Sequence, residues 1–209
     1  MKTQGLLLGL LLLGGTAVSI TSCESEEKRL ASEMAGVWTG TPDTFTDSQA
    51  VTATITDTYC FSPDSALLSG KKYPIGPVEV TSQIQMNTQV LASGDAQEPL
   101  SLSASAIASV RGTWTVTDDD EVSLAFDPQT LTVAIDPDQV ASAGGMIGTQ
   151  PSVTIDSMKP QVAANLERNL HTALQTRFSG TRIMEDVKVK GNMLKYEAGD
   201  RDFVLTRRM

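Results

Sequence analysis

The segment from Ser101 to Asp127 constrains this chain most, because it alternates polar and apolar residues over an unusual length. Apolar or small residues occupy every second position of its first arm: Leu102, Ala104, Ala106, Ala108, Val110, Gly112, Trp114 and Val116. The intervening residues are polar except Ile107. A period of two is typical of a β-strand with one buried face. Three aspartates, Asp118 to Asp120, interrupt the pattern before it resumes, which predicts a β-hairpin with an acidic turn.

This first arm is long for a single strand, so we expect it to bend, with Gly112 as the corner. Two further segments alternate in the same way, Val51 to Phe61 and Val78 to Ala92. Asp57 interrupts the apolar side of the first, which indicates either a cavity-lining residue or a bulge. Ser82 and Thr88 interrupt the apolar side of the second.

Proline, glycine and aspartate predict where these strands end. Residues 62–77 and 139–152 are rich in such residues or in alanine and serine, and both are predicted to be loops. Residues 127–130, Asp-Pro-Gln-Thr, predict a turn that separates the hairpin from a further strand over 131–135. Short strands separated by Gly191-Asn192 and Gly199-Asp200 are predicted to end the chain.

The hydrophobic period changes to about four residues in one segment, which predicts an amphipathic helix over about 157–179. Its apolar stripe is Met158, Val162, Leu166, Leu170, Leu174 and Phe178. Ser157 is placed to cap the helix, Pro160 falls in the expected first turn and Gly180 follows the last turn. We expect this helix to pack on an open edge or one end of the β structure.

The N-terminus has the layout of a secretory signal: Lys2, a short apolar run over residues 6–13, and then small residues. The run is too short to span a bilayer as a helix. Ile20-Thr21-Ser22-Cys23 resembles a bacterial lipobox, which implies a signal peptide over 1–22 and a lipidated Cys23 on the outer membrane. The alternative is a soluble secreted protein in which Cys23 has no special role.

An acidic segment, residues 23–35, follows the cysteine. It resembles the export signal of some surface-exposed lipoproteins, and it equally suits a solvated tether that spaces the domain from the bilayer. Leu30 to Met34 could add a helical turn. The formal net charge of the chain is −9, which argues against nucleic acid as a partner.

A Gly-x-Trp sequence, Gly36-Val37-Trp38, begins the domain predicted over 36–209. Together with antiparallel strands and a late helix, it resembles the lipocalin-like (calycin) β-barrels. That resemblance implies a mainly β fold in which the tryptophan packs across the closed end and the last strand pairs with the first. A second Gly-x-Trp ends at Trp114, without a convincing internal repeat.

Catalysis has little support in the sequence, and we predict a protein that is not an enzyme, without cofactor or metal. The single histidine, His171, lies on the predicted helix, and Cys60 is left without an intramolecular disulfide partner once Cys23 is acylated. The acidic clusters near Asp118 and Asp136 suit either calcium or, more simply, turn formation.

The hypothesis for function comes from the small side chains on the buried face of the long strand. The alanines of the long strand either leave room for a ligand inside the barrel or allow the helix to approach the sheet closely. The first alternative predicts binding of a small apolar or glycan-derived ligand by Trp38, Asp57, Tyr59, Ala104, Ala106 and Trp114. The second hypothesis for function is a structural or assembly partner of another envelope protein.

Overall fold

A computed structural model describes residues 25–46, 52–63, 75–91, 99–143 and 153–208. Its helices are α1 (Glu26–Met34), a 3₁₀ turn (Pro137–Gln139) and α2 (Val153–Arg177). Its strands are β1 (Gly36–Gly40), β2 (Asp43–Thr46), β3 (Thr52–Phe61), β4 (Ile75–Leu91), β5 (Pro99–Val116), β6 (Val122–Ile135), β7 (Ala141–Ala143), β8 (Thr181–Lys190), β9 (Met193–Ala198) and β10 (Arg201–Arg207). Within these ranges, no helix combines the length and the apolar character needed to cross a bilayer.

The strands form a closed antiparallel barrel, as the sequence predicted. Eight of them follow the order β1-β10-β9-β8-β6-β5-β4-β3, and β3 pairs back to β1. The last strand does pair with the first, with Trp38 opposite Arg207. Strand β2 continues beyond β1 along the same edge of β3, and β7 pairs with the start of β5.

The long hairpin of β5 and β6 is confirmed. The alternate residues of β5 are buried from Leu102 to Val116 except Gly112, which is half-buried, and Ile107 on the other face is 58% exposed. Gly112 is needed for close strand approach, because a Cβ there would lie 2.3 Å from the Ala125 carbonyl oxygen. The irregularity in pairing falls just before it, between Ser109 and Arg111.

The predicted turn at residues 127–130 is wrong, because β6 runs without a break from Val122 to Ile135. These residues form a bulge opposite β5 instead. Pro128 is tolerated there because a bulge leaves a residue without a ladder partner, and proline has no N–H to donate. Thr130 holds the bulge in place, since its hydroxyl accepts from the Arg111 N–H at 2.9 Å and donates to the Asp127 carbonyl at 2.7 Å.

Strands β3 and β4 follow the predicted alternation. Residues 53, 55, 57, 59 and 61 are buried, and the intervening residues of β3 are half-buried. Two predicted loops are shorter than expected. Residues 75–77 belong to β4 and residues 141–143 to β7, because both segments form backbone pairs with β5.

Helix α2 begins four residues before the predicted Ser157, which therefore is not its cap. Pro160 consequently lies inside the helix, where it removes only one backbone hydrogen bond, and the packing of later turns outweighs that loss. Leu170, Leu174 and Phe178 are buried as predicted. The helix packs against β6 and the 3₁₀ turn, while the side chain of Met158 lies outside the described residues.

The acidic segment before the barrel is more ordered than a solvated tether. Helix α1 covers most of it, and Leu30, Ala31 and Met34 belong to the hydrophobic core. The charged residues of α1 face water, where Arg29 pairs with Glu33 at 3.0 Å. Only one face of this helix is apolar, so its few buried residues are outnumbered by charged ones. For that reason the composition of the segment did not predict that it packs on the barrel. The lipobox and Cys23 lie outside the described residues.

Candidate ligand cleft at the mouth of the barrel

One end of the barrel is closed by α1 and a tryptophan–arginine pair. The Trp38 indole N–H donates to the Met34 carbonyl at 2.7 Å, and the Arg207 guanidinium lies 4.2 Å from the centre of the indole ring. Arg207 also donates to the carbonyls of Ala35 and Glu33, at 2.9 and 2.6 Å. Trp38 is 0% exposed, so this end is filled by protein side chains.

The second tryptophan is also a packing residue. Trp114 is buried, its indole N–H donates to the Ser62 carbonyl at 3.2 Å, and its ring meets Phe61 edge to face. Gly76 lies directly beside it, since a Cβ at that position would be 2.9 Å from the Trp114 nitrogen. Both indoles thus have their polar atoms satisfied within the core.

A cleft of about 410 Å³ lies toward the opposite end. That end is where β1 finishes at Gly40 and where β8 and β10 begin. The cleft falls within the size range of small-molecule sites. Its side chains are apolar, aromatic and charged together: Ile55, Asp57, Tyr59, Leu124, Arg177, Arg182, Met184, Tyr196, Arg201, Phe203 and Leu205, with Asp43 at the β1–β2 junction.

A buried ion pair forms one wall of the cleft. Ser82 donates to Asp57 Oδ1 at 2.6 Å, and Arg177 Nη2 donates to Asp57 Oδ2 at 2.6 Å. The Asp57 side chain is 9% exposed and that of Arg177 is 29% exposed. A charge this deep in an apolar wall requires a partner, and the last turn of α2 supplies it.

Two tyrosines, Tyr59 and Tyr196, lie together in the same wall, close enough for each hydroxyl to influence the pKa of the other. Burial raises the pKa of Tyr59 above its ordinary value of 10.0, and the negative charge of Asp57 raises it further. Burial likewise raises the pKa of Tyr196, with the neighbouring Tyr59 adding to the effect. Both phenols therefore stay protonated at neutral pH and remain available as hydrogen-bond donors.

Two further arginines complete the polar lining. Arg182 Nη2 donates to the Arg177 carbonyl at 2.6 Å, and its guanidinium lies 5.9 Å from the Phe126 ring centre and 5.3 Å from that of Phe178. Arg201 lies over Phe203 and pairs with Asp43 at 3.2 Å on the exposed rim. The two guanidiniums differ in setting, since one is held on buried rings and the other faces solvent.

The structure brings together two of the six residues predicted to bind a ligand. Asp57 and Tyr59 line the cleft, whereas Trp38, Ala104, Ala106 and Trp114 are buried outside its lining. The alanines belong to the hydrophobic core, and α2 packs mainly against β6 rather than against β5, the strand that carries them. A ligand role for any of the six stays a prediction.

Sequence reasoning missed most of the lining, including its three arginines and second tyrosine, Arg177, Arg182, Arg201 and Tyr196. Only the presence of a cation such as Arg177 could be anticipated from the sequence. Asp57 is a carboxylate at a buried strand position, and such a group predicts that some cation pairs with it. The sequence does not indicate which cation, since Asp57 and Arg177 lie 120 residues apart.

The described residues show no group of three or more side chains suited to hold a metal ion. His171 is half-buried on α2 and does not line the cleft, and Cys60 is a half-buried free thiol on the outer side of β3. The residues around the cleft supply hydrogen-bond donors, positive charge and apolar surface, which are the features that a small-molecule binding site uses.

Comparison with known proteins adds no family to this description. No family model matches the chain, and no curated protein matches it with significance.

Proposed function

We propose that this protein is a lipid-anchored, non-catalytic component of a bacterial outer envelope that binds a small ligand in the cleft at the mouth of its barrel. The ligand belongs to the apolar or glycan-derived class. The observation that carries the proposal is the cleft of about 410 Å³, in which apolar and aromatic walls surround a few convergent polar groups. That combination characterises small-molecule sites.

The lining suits a ligand with two chemical faces. Tyr59, Tyr196 and Phe203 offer aromatic surface, against which a sugar ring or an alkyl chain would pack. Asp57, Arg177 and Arg182 offer hydrogen bonds at the deeper side. An apolar core without polar groups would hold a ligand without orienting it, whereas these groups fix both position and orientation.

Native mass spectrometry of the full chain, purified gently from cells that produce it, tests ligand binding. Ala198, the last residue of β9, also lines the cleft. We expect a co-purifying small molecule whose mass disappears when Ala198→Trp blocks the cleft. A clean ligand-free mass, together with no thermal shift across lipid and sugar panels, would contradict the proposal. The matched control is Ile107→Trp, which introduces the same side chain at an exposed position on the outer face of the barrel.

The anchor is tested separately. Cys23→Ala should prevent lipid attachment and release the protein from membranes, because acyl chains contribute about 0.8 kcal/mol for each buried CH₂ group. Fractionation of cells expressing each form, with metabolic labelling by a fatty acid, measures both effects. A mutant that still fractionates with membranes would overturn the lipobox assignment and leave the proposed ligand cleft unaffected.

An exposed apolar patch would favour the alternative role, in which the protein is a structural partner of another envelope protein. In the described ranges, the large exposed apolar residues lie on four different strands: Phe45, Ile107, Ile183 and Met193. Exposed apolar residues scattered singly are ordinary for a protein surface. We therefore place the ligand-binding role first.

A further inference from the structure

Arg182 is the cleft cation that lacks a carboxylate partner. Three arginines and two aspartates line the cleft. Arg177 pairs with Asp57, and Arg201 pairs with Asp43. Among the residues that the structure describes, no Asp or Glu lies within ion-pair distance of Arg182, so its charge is not neutralised by a direct carboxylate contact there.

The protein holds this guanidinium in place by means other than charge. Its Nη2 donates to the Arg177 carbonyl at 2.6 Å, where the last turn of α2 leaves carbonyls without helical partners. The rings of Phe126 and Phe178 lie within 6 Å of it, in cation–π range. A guanidinium has five N–H donors, and this arrangement uses one of them.

Arg182 lines the same cleft as the two tyrosines. Arg182 is close enough to Tyr59 and Tyr196 for its charge to act on both hydroxyls, in the direction that lowers the pKa of each. Burial outweighs that effect, so the phenols stay neutral donors beside the cation. One guanidinium and two phenols together form a donor-rich group that contains no anion of its own, apart from the already paired Asp57.

We propose that Arg182 binds a carboxylate group of the ligand, while the ligand's apolar or ring-shaped body lies against Tyr196 and Phe203. This inference rests on the proposed ligand-binding function and adds the charge class of the ligand. A planar guanidinium matches the two oxygens of a carboxylate, and a charged hydrogen bond of this kind is stronger than a neutral one.

Overall charge does not supply this preference. The chain carries a formal net charge of −9, so an anion gains nothing from the protein as a whole. Selectivity must come from the local excess of one cation in a partly desolvated wall, where attraction is less screened than at the surface. The same carboxylate chemistry occurs in fatty acids and in sugar acids, and the test distinguishes these two sources.

The experiment uses two matched pairs of probes, each differing only in the acid group. Decanoate is compared with decanol, and glucuronate with glucose, by isothermal titration into the full chain. We expect one acid to bind about tenfold or more tightly than its neutral partner, and the pair that shows this names the source.

Variants assign the effect to the guanidinium. Arg182→Met should weaken binding of the acid by about tenfold and leave the neutral probe unchanged, because it keeps the apolar stem and removes the charge. Arg182→Lys should retain part of the preference, since it keeps the charge and loses the bidentate geometry. Arg111→Met, which removes an exposed arginine from the outer face of β5, is the control.

Equal binding of the acid and its neutral partner would overturn the inference, and so would an equal loss for both probes in Arg182→Met, which would indicate a purely structural role. A neutral ligand found by native mass spectrometry would overturn it while leaving the proposed function standing. Failure of every probe, combined with a ligand-free mass, would overturn both.

Discussion

Removal of the Arg177 guanidinium should destabilise the fold measurably, because it leaves a carboxylate buried without its cation. Asp57 Oδ2 accepts from Arg177 at 2.6 Å, and Oδ1 accepts from Ser82. In Arg177→Met the apolar stem remains, while Asp57, with a side chain only 9% exposed, keeps one hydrogen-bond donor. The loss is therefore electrostatic rather than one of packing volume.

Breaking a fully buried ion pair from one side costs about 3–5 kcal/mol. The Arg177 side chain is 29% exposed, so water will replace part of what the carboxylate loses. We accordingly expect Arg177→Met to lower the free energy of unfolding by about 2 kcal/mol. The double variant with Asp57→Asn should recover at least about 1 kcal/mol of that loss, because a neutral amide is less costly to bury unpaired than a charge.

Urea unfolding followed by tryptophan fluorescence measures these values, since both tryptophans are buried in the folded protein. Arg201→Met is the matched control, because it removes the same group from a pair whose side chains are 58% and 47% exposed. It should cost less than about 1 kcal/mol. The reasoning is refuted if the two single variants lose equal stability, or if Asp57→Asn recovers nothing in the Arg177→Met background.

Three further perturbations test other parts of the structure. Arg207→Met should lower stability by about 2 kcal/mol and speed hydrogen exchange in α1, because two carbonyls and the Trp38 ring lose their partner; unchanged exchange in α1 would contradict this. Gly112→Ala should lower the melting temperature by roughly 6 °C or more, since its Cβ would meet backbone atoms of β6; a wild-type melting curve would show that the strands can separate there. The raised pKa values of Tyr59 and Tyr196 contribute stability that is fully present below pH 10 and is lost as pH rises above it, because the unfolded chain then releases protons that the folded chain retains. In a Tyr73→Phe background, where only these two phenols contribute, phenolate absorbance should therefore rise together with unfolding; titration of both tyrosines in a still-folded protein would disprove it.

Local pattern determined much of this fold without any tertiary information. The alternation of β3, β4 and β5 fixes which face of each strand is buried, because successive side chains of a strand point in opposite directions. The four-residue period predicted α2 and its buried stripe. The resemblance to lipocalin-like barrels, which Gly36-Val37-Trp38 helped to suggest, implied that the first and last strands pair, and they do.

Tertiary structure alone decided the continuity of β6 and the packing of α1. Pro128 indicates a turn locally, but a bulge opposite β5 accommodates it inside one strand. The acidic residues of α1 suggested a solvated tether, whereas its few apolar residues pack into the hydrophobic core at the closed end of the barrel. In both cases a partner distant in sequence outweighed the local preference.

The candidate cleft depends on tertiary structure most of all. Asp57 could be singled out because a charge on an apolar strand face needs a partner, and the sequence gives no means of choosing Arg177 from 120 residues away. The sequence likewise contains Arg182 without showing that it lies on two phenylalanine rings and has no ion-pair partner among the described carboxylates. Strand and helix periodicity fix which residues face inward, and barrel closure fixes which of those residues meet, because pairing register and helix docking are long-range properties.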